Sequence, residues 1–266
     1  MVPRCPKPDA LVLAGGGVKG VATLGAVHRL QHAGLLKNVR TVVGTSAGAL
    51  IGALVATRRD LQHAFRVICD HGYTPDFDFD RFFKEFGLDS GKSISSLVDA
   101  LLESHLTFED VRRLYGMRFV VCVTNLSQRR AEYLGPDTHP DMPLALALRM
   151  SCSVPLYFSA VRHEGAWYAD GSIVDNFPCA WALDNGAAKV LGISTKAAHT
   201  SIRTFEAFVG ALMESAAGSQ TCARADILDL ELPGVSALNF GARQEEMAKL
   251  FAMGDQQASV FLKKAL

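Results

Sequence analysis

The sequence predicts an α/β fold, with a central, mostly parallel β-sheet flanked by helices. Short β-branched runs alternate with longer helical patterns from the start of the chain, and glycine-rich turns stand where a strand would pass into a helix. With 266 residues, 49% of them hydrophobic, the chain can bury a large core. Because no internal repeat or low-complexity linker interrupts the pattern, we expect one domain over residues 1–266.

The first half of the chain predicts a parallel β-α-β-α start, whose elements are Asp9–Ala14, Val18–Ala33, Val39–Val43 and Ser46–Thr57. Helical patterns follow over residues 60–72 and 92–104. Between them, Pro75–Leu88 carries five phenylalanines without a regular period. Such a segment fits a lid or acyl-chain wall, and it fits equally well a surface loop that aromatic side chains fasten to the core.

The second half predicts further strands and helices, beginning with a capping-type helix start at Thr107–Asp110. Strands are expected at Arg118–Thr124, Arg129–Leu134, Lys189–Ser194 and Asp226–Leu232, with a hairpin over Val161–Asp170 and helices near 202–223 and 243–264. The motifs described below all lie in a core of about residues 10–195, and the C-terminal helices and last strand follow over about 200–266.

The first glycine-rich turn, Gly15–Gly20, has the sequence GGGVKG and opens the first helix. Three backbone N–H groups without side chains at a helix start attract negative charge, so the turn suits an oxyanion hole. It also fits the dinucleotide pattern G-x-G-x-x-G, which needs an acidic residue about 20 positions later. No Asp or Glu occurs between Asp9 and Asp60. An NADP-type variant using Arg40 and a purely structural tight turn stay open as alternatives.

The second turn, Gly44–Gly48, has the G-x-S-x-G sequence GTSAG of a nucleophile elbow. Glycines on either side of the serine let a strand turn sharply into a helix and leave the hydroxyl accessible. The pattern therefore predicts Ser46 as a nucleophile, which needs a base to take its proton. In the order Ser…Asp…His, only His199 follows Asp170 and could complete a triad. Asp170 itself ends a strand-like run before Gly171, a pattern that also fits an Asp-Gly hairpin turn.

Composition excludes several classes of protein. The six cysteines are scattered without C-x-x-C spacing, which favours free thiols in a reducing compartment over a metal site. The N-terminus lacks the pattern of a signal peptide, and the longest apolar run, Ala47–Ala56, is too short to span a membrane. Residues 1–59 carry eight basic residues against one acidic, and residues 60–90 carry three against seven. This offset fits solvated faces or attraction to anionic lipid, and nothing indicates nucleic-acid binding.

Four blocks in order resemble those of patatin-like phospholipases: Gly15–Gly20, Gly44–Gly48, the small-residue segment around Pro155 ending at Phe158, and Asp170-Gly171-Ser172 with Asn176-Phe177-Pro178. The resemblance implies a three-layer α/β/α fold and a Ser-Asp dyad without histidine. It implies that Ser46 is the nucleophile, Asp170 the general base, Gly15, Gly16 and Gly17 the oxyanion loop, and Lys19 the basic, substrate-binding residue of that loop. Lys19 stands where arginine is commoner, and Ser172 where a small residue such as Gly or Ala is usual.

The resemblance further implies a lipid acyl hydrolase that acts on glycerolipids, phospholipids first, without metal or organic cofactor. A carboxylate is a weak base, so an apolar cleft must desolvate Asp170 to raise its pKa. The expected substrate lies in a membrane surface, and the expected location is the cytoplasm or the membrane periphery. Two alternatives stay open: an effector whose activity a ligand, partner or membrane switches on, and a Ser-Asp-His esterase of non-lipid esters.

Overall fold

The computed structural model describes residues 7–103, 105–196, 202–216 and 222–265. Within these ranges the strands are β1 Ala10–Leu13, β2 Thr41–Thr45, β3 Gly87–Asp89, β4 Arg118–Asn125, β5 Arg130–Leu134, β6 Leu156–Phe158, β7 Val161–His163, β8 Ala166–Asp170, β9 Val190–Thr195 and β10 Asp226–Leu230. The α-helices are α1 Gly20–His32, α2 Ala47–Ala56, α3 Leu61–His71, α4 Phe79–Glu85, α5 Lys92–Leu101, α6 Phe108–Tyr115, α7 Leu144–Ser151, α8 Cys179–Asp184, α9 Phe205–Ala216 and α10 Gln244–Ala265.

The main sheet has the strand order β10-β9-β1-β2-β4-β8-β7, and β5 pairs with the other edge of β4. The five strands from β10 to β4 are parallel, whereas β5, β7 and β8 run antiparallel to their neighbours. The predicted α/β class with a mostly parallel sheet is therefore confirmed. A parallel sheet needs cover on both faces, and helices supply it.

Side chains of β1 alternate between the two faces of this sheet. Leu11 and Leu13 pack into the larger core, which α1, α2 and α10 cover, while Ala10 and Val12 pack on the opposite face against α8. Such alternation follows from the two-residue period of a strand. The result is a helical layer on each side of the sheet, as the three-layer expectation requires.

The main sheet changes from parallel to antiparallel pairing at strand β4. One edge of β4 pairs first with the parallel strand β2, which sets Thr45 opposite Cys122, and then with the antiparallel strand β8, which sets Asp170 opposite Val123. Strand β5 pairs with the other edge of β4. Strands β2 and β8 therefore share one edge of β4, and their last residues lie next to each other there. The residue after β2 and the last residue of β8 are thereby brought side by side.

Helices α1 and α10 pack against each other along their length, and glycine makes the approach close. A Cβ atom on Gly254 of α10 would lie 1.8 Å from the carbonyl oxygen of Ala22, and one on Gly25 of α1 would lie 2.1 Å from that of Phe251. Only hydrogen fits at these two positions, so the backbones of the two helices are nearly in contact. Since α1 follows the first glycine turn directly, α10 supports that turn from behind.

Several elements differ from the sequence-based expectation. Strand β2 covers Thr41–Thr45 and so ends directly at Ser46. The irregular segment Pro75–Leu88 contains a capped helix, in which the Asp78 side chain accepts the N–H groups of Asp80 and Arg81. Helix α7 was not predicted, because its Leu-Ala-Leu-Ala-Leu sequence fits a strand period as well as a helix.

Candidate active site

Ser46 occupies the turn between β2 and α2, as the elbow pattern predicts. Its backbone has φ 52° and ψ −127°, a conformation that residues other than glycine rarely adopt. Its N–H donates to the Ser151 hydroxyl over 2.8 Å, so the strained turn is held by a buried hydrogen bond. The residue itself is buried and faces two cavities.

Asp170 ends β8 beside Ser46 and is fully buried. One carboxylate oxygen, Oδ1, accepts the N–H and the hydroxyl of Ser172 over 2.8 and 2.6 Å. The other, Oδ2, is buried and has no hydrogen-bond partner among the described residues. Burial raises the pKa of Asp170 to about 6, and the hydrogen bonds from Ser172, together with the nearby Ser46 hydroxyl, limit the rise. The carboxylate thus combines raised basicity with one unused acceptor.

Gly15, Gly16 and Gly17 of the glycine turn line the larger of two cavities, together with Ser46 and Asp170. Gly15 N–H donates to the Asn176 carbonyl over 3.2 Å, and the Asn176 side-chain amide donates to the Gly15 carbonyl over 3.4 Å. The N–H groups of Gly16 and Gly17 have no acceptor in the described part of the chain. Of the three predicted donors, Gly15 is therefore engaged by Asn176, and the other two have no partner among the described residues.

Lys19 lies at the rim of this turn but does not point a free charge into the cavity. Its side chain is only 3% exposed, and Nζ lies 3.0 Å from Oε1 of Glu214 on α9. An ion pair with so little solvent around the cation is screened weakly. The predicted substrate-binding cation is thus neutralised by a residue 195 positions away, which no local pattern in the sequence indicated.

Two cavities meet at Ser46. The larger, of about 280 Å³, has many polar groups in its wall, among them those of Lys19, Asp170, Asn176, Ser194, Lys196, Glu214 and Asp229. The smaller, of about 170 Å³, is mainly aliphatic and aromatic, with Leu24, Leu50, Ile51, Leu97, Phe158 and Phe240 in its wall. Gly17, Ser46 and Val154 line both cavities. Ser46 therefore lies on the boundary between a compartment with many polar groups and one that is mainly apolar.

Several residues that the sequence suggested for the site do not line either cavity or lie outside the described residues. No phenylalanine of Pro75–Leu88 lines either cavity, so this segment is not an acyl-chain wall in this structure. Neither cavity is lined by any of the described histidines, which are His28, His32, His63, His71, His105, His139 and His163. His199, the alternative base, and Cys5 lie outside the described residues.

In the part of the chain that the structure describes, no group of three or more His, Cys, Asp or Glu residues is arranged to hold a metal ion. None of the described helices combines the length and apolar character that crossing a bilayer demands. The cysteines within the described ranges are free thiols.

The four sequence blocks and this geometry agree with a comparison against known families. The model of the patatin-like phospholipase family matches residues 11–183. This chain belongs to the patatin-like phospholipase family. The matched range contains the glycine turn, Lys19, Ser46 and Asp170, and family membership together with the relatives below makes the chain a hydrolase of ester bonds.

Relatives of this patatin-like phospholipase occur in bacteria, viruses and fungi. The uncharacterized protein YqhO of Bacillus subtilis (strain 168) is 28% identical over 95% of this chain and 97% of its own length. The probable lipid hydrolase 463L of Invertebrate iridescent virus 6 is 24% identical over 63% of this chain and 61% of its own. The lysophospholipase nte1 of Emericella nidulans is 28% identical over 71% of this chain, but that match spans only 12% of the fungal protein.

Solved structures resemble this patatin-like phospholipase at low sequence identity. VipD from Legionella pneumophila matches with a TM-score of 0.64 at 20% identity, over 98% of this chain and 68% of VipD. Human GIVD cytosolic phospholipase A2, in complex with methyl gamma-linolenyl fluorophosphonate, matches with a TM-score of 0.55 at 12% identity, over 96% and 58% of the two chains. At these identities the likeness establishes the fold.

Proposed function

We propose that this chain is a lipid acyl hydrolase that cleaves carboxylic acyl esters of glycerolipids, most directly phospholipids in a phospholipase A-type reaction. The observation that carries the proposal is that Asp170 lines the same cavity as Ser46 and has a buried Oδ2 without a partner among the described residues, where a more polar and an apolar cavity meet. The apolar cavity would take the acyl chain, and the polar cavity the glycerol and headgroup. The viral and fungal relatives, named as a lipid hydrolase and a lysophospholipase, support this substrate class.

In the proposed first step, Ser46 Oγ attacks the ester carbonyl while its proton passes to Oδ2 of Asp170. A carboxylate of ordinary pKa 3.8 would be a poor proton acceptor, and burial brings this pKa to about 6, closer to the operating range of a general base. The two hydrogen bonds from Ser172 keep Oδ1 occupied, so only Oδ2 is available for the proton.

The glycine loop Gly15–Gly17 would stabilise the negative charge that develops on the carbonyl oxygen. Gly16 and Gly17 supply the N–H donors, and Gly15 fixes the loop through its two bonds to Asn176. Donors held in place before the reaction need no reorganisation, and losing one typically costs roughly 10²–10³ in rate. Collapse of the intermediate breaks the ester bond, and the alcohol leaves with the proton from Asp170.

Water completes the cycle by attacking the acyl-Ser46 ester, again with Asp170 as base, and the fatty acid is released. Because the substrate is part of a lipid surface, the protein would work at the membrane periphery, in contact with the bilayer. Lys19 would bind the phosphate once its ion pair with Glu214 is broken. Helix α9, which carries Glu214, would therefore take part in substrate binding.

The decisive experiment measures fatty-acid release from mixed phospholipid vesicles by the wild type, Ser46→Ala, Asp170→Asn and His199→Ala. The dyad predicts that release disappears in the first two variants and is largely kept in the third. Loss with His199→Ala and retention with Asp170→Asn would instead favour a Ser-Asp-His triad.

A fluorophosphonate probe, which labels an activated serine, separates a gated enzyme from an inactive one. If the wild type releases no fatty acid yet labels at Ser46, short-chain soluble esters are tested next. If only those soluble esters are hydrolysed, the proposed substrate class would change from lipids to non-lipid esters. Labelling without hydrolysis of either substrate would favour an effector that a partner, ligand or membrane activates.

A further inference from the structure

A buried serine at the end of α7 links the nucleophile to the sheet. The Ser151 hydroxyl accepts the N–H of Ser46 over 2.8 Å and donates to the carbonyl oxygen of Cys122, on β4, over 2.7 Å. Ser151 has no exposed surface, so water does not compete for either bond. The hydroxyl therefore relays a hydrogen bond from the residue that follows β2 to the neighbouring strand.

This relay acts where the backbone most needs support. With φ 52° and ψ −127°, Ser46 adopts a conformation disfavoured by its Cβ atom, and the surrounding structure must hold it there. Because Ser46 lies beyond the last paired residue of β2, which is Thr45, the sheet ladder does not fix its N–H. The Ser151 hydroxyl is the acceptor of that N–H.

The same short segment also holds the base. The carbonyl oxygen of Ser153 accepts the N–H of Asp170 over 2.9 Å. Ser153 is itself fixed by the partly buried Arg149, whose Nη1 lies 2.5 Å from its hydroxyl. Residues 151 and 153 thus attach to Ser46 and Asp170 respectively, and a displacement of either would change the separation between the proposed nucleophile and base.

We propose that Ser151 is a positioning residue for the ester hydrolysis: it fixes the backbone of Ser46 so that the serine hydroxyl stays aligned with Asp170. The inference rests on the proposed Ser-Asp dyad. Ser151 does not contact the substrate in this scheme, because neither cavity reaches it. Loss of its hydroxyl should therefore slow the chemical step while leaving substrate binding unchanged.

The test compares Ser151→Ala with Ser159→Ala, using a soluble ester of medium chain length. Ser159 is also buried, but its hydroxyl has no partner among the described residues, so the control removes a buried hydroxyl without breaking a bond. For Ser151→Ala we expect kcat about 10² lower and KM within about twofold of wild type, since small misplacements of reacting groups cost that much. The rate of fluorophosphonate labelling should fall in parallel. Ser159→Ala should keep both values.

Thermal unfolding of each variant shows whether the protein is folded at the assay temperature. If Ser151→Ala is not folded, Ser151→Cys replaces it, because its thiol is of similar size but is a weaker acceptor and donor, and it should lower kcat about tenfold. A folded Ser151 variant with wild-type kcat and labelling rate would overturn the inference while leaving the dyad intact. If hydrolysis persists in the Ser46→Ala variant, the proposed function, on which this inference rests, would instead be overturned.

Discussion

Ser172 supplies both hydrogen bonds that the Asp170 carboxylate accepts, and both reach Oδ1. The arrangement leaves Oδ2 without a hydrogen-bond partner among the described residues, and it leaves a carboxylate with a raised pKa in a fully buried site. The pH dependence of both activity and stability follows from these facts.

Activity should fall on the acid side as Asp170 becomes protonated. With a pKa of about 6, kcat/KM should drop nearly tenfold per pH unit below that value and level off above about pH 7. Ser172→Ala removes a hydrogen bond that lowers this pKa, so its acid limb should lie at higher pH. The profile is measured with a soluble ester. Ser127→Ala, which removes an acceptor of the Trp167 N–H, is the control and should not shift the limb.

The same pKa predicts that Asp170 lowers stability at neutral pH. A carboxyl whose folded pKa exceeds its unfolded value binds more protons when folded, so stability rises as pH falls through about 6 and stops rising below about 4. The shift from 3.8 to about 6 corresponds to about 3 kcal/mol at pH 7. Asp170→Asn should therefore unfold at higher denaturant concentration than wild type at pH 8, with a gap that closes toward pH 4. A gap that does not change with pH would contradict the assignment.

Gly17 should tolerate no side chain. Its φ is 52°, and a Cβ atom would lie 2.1 Å from the carbonyl oxygen of Ala237, so Gly17→Ala must move the loop that offers the free N–H groups. We expect kcat to fall by about 10² or more. Gly116 has a similar φ of 66° with nothing near its Cβ position. Gly116→Ala should therefore cost about 1 kcal/mol of stability and leave kcat unchanged.

Asn176→Ala should loosen the glycine loop by removing the amide that binds the Gly15 carbonyl. A loop with one anchor fewer holds its donors less accurately, so kcat should fall on the order of 10-fold to 10²-fold. Asn185 provides a matched control, because its side-chain amide also donates to a backbone carbonyl, that of Trp181, away from both cavities. Equal effects of Asn176→Ala and Asn185→Ala on kcat would count against the anchor.

Breaking the ion pair at Lys19 should change substrate preference. Glu214→Gln releases the cation, so KM for a phospholipid should fall several-fold relative to KM for a neutral monoacylglycerol, and Lys19→Met should have the opposite effect. Asp184→Asn breaks an exposed pair with Arg224 and serves as control. If Glu214→Gln alters both KM values equally, Lys19 does not select for phosphate.

The sequence predicted those parts of the fold and site whose signal is local. Glycine spacing located the Ser46 elbow, and the Asp-Gly step after an apolar run located Asp170 at a strand end. The pairing of Asn176 with Gly15 and of Lys19 with Glu214 could not be predicted, because the partners lie 161 and 195 residues apart and no short-range pattern records such contacts.

Helix α7 and its terminal Ser151 were missed for a different reason. Alternating leucine and alanine satisfy both a two-residue and a 3.6-residue period, so hydrophobic pattern alone does not decide the structure there. The helix within Pro75–Leu88 was also not predicted, because the phenylalanines of that segment follow no regular period. Its helix α4 is set by the capping side chain of Asp78, while Phe79 and Phe83 remain mostly exposed.

The close glycine contacts between α1 and α10 set an order of events during synthesis. A ribosome releases the glycine turn, Ser46 and Asp170 well before residues 244–265, yet α1 finds its packing partner only when α10 has emerged. The nascent chain would therefore carry every reacting group for some time without a finished site. If the proposed function holds, hydrolysis would begin only after α10 has been synthesised and has packed against α1.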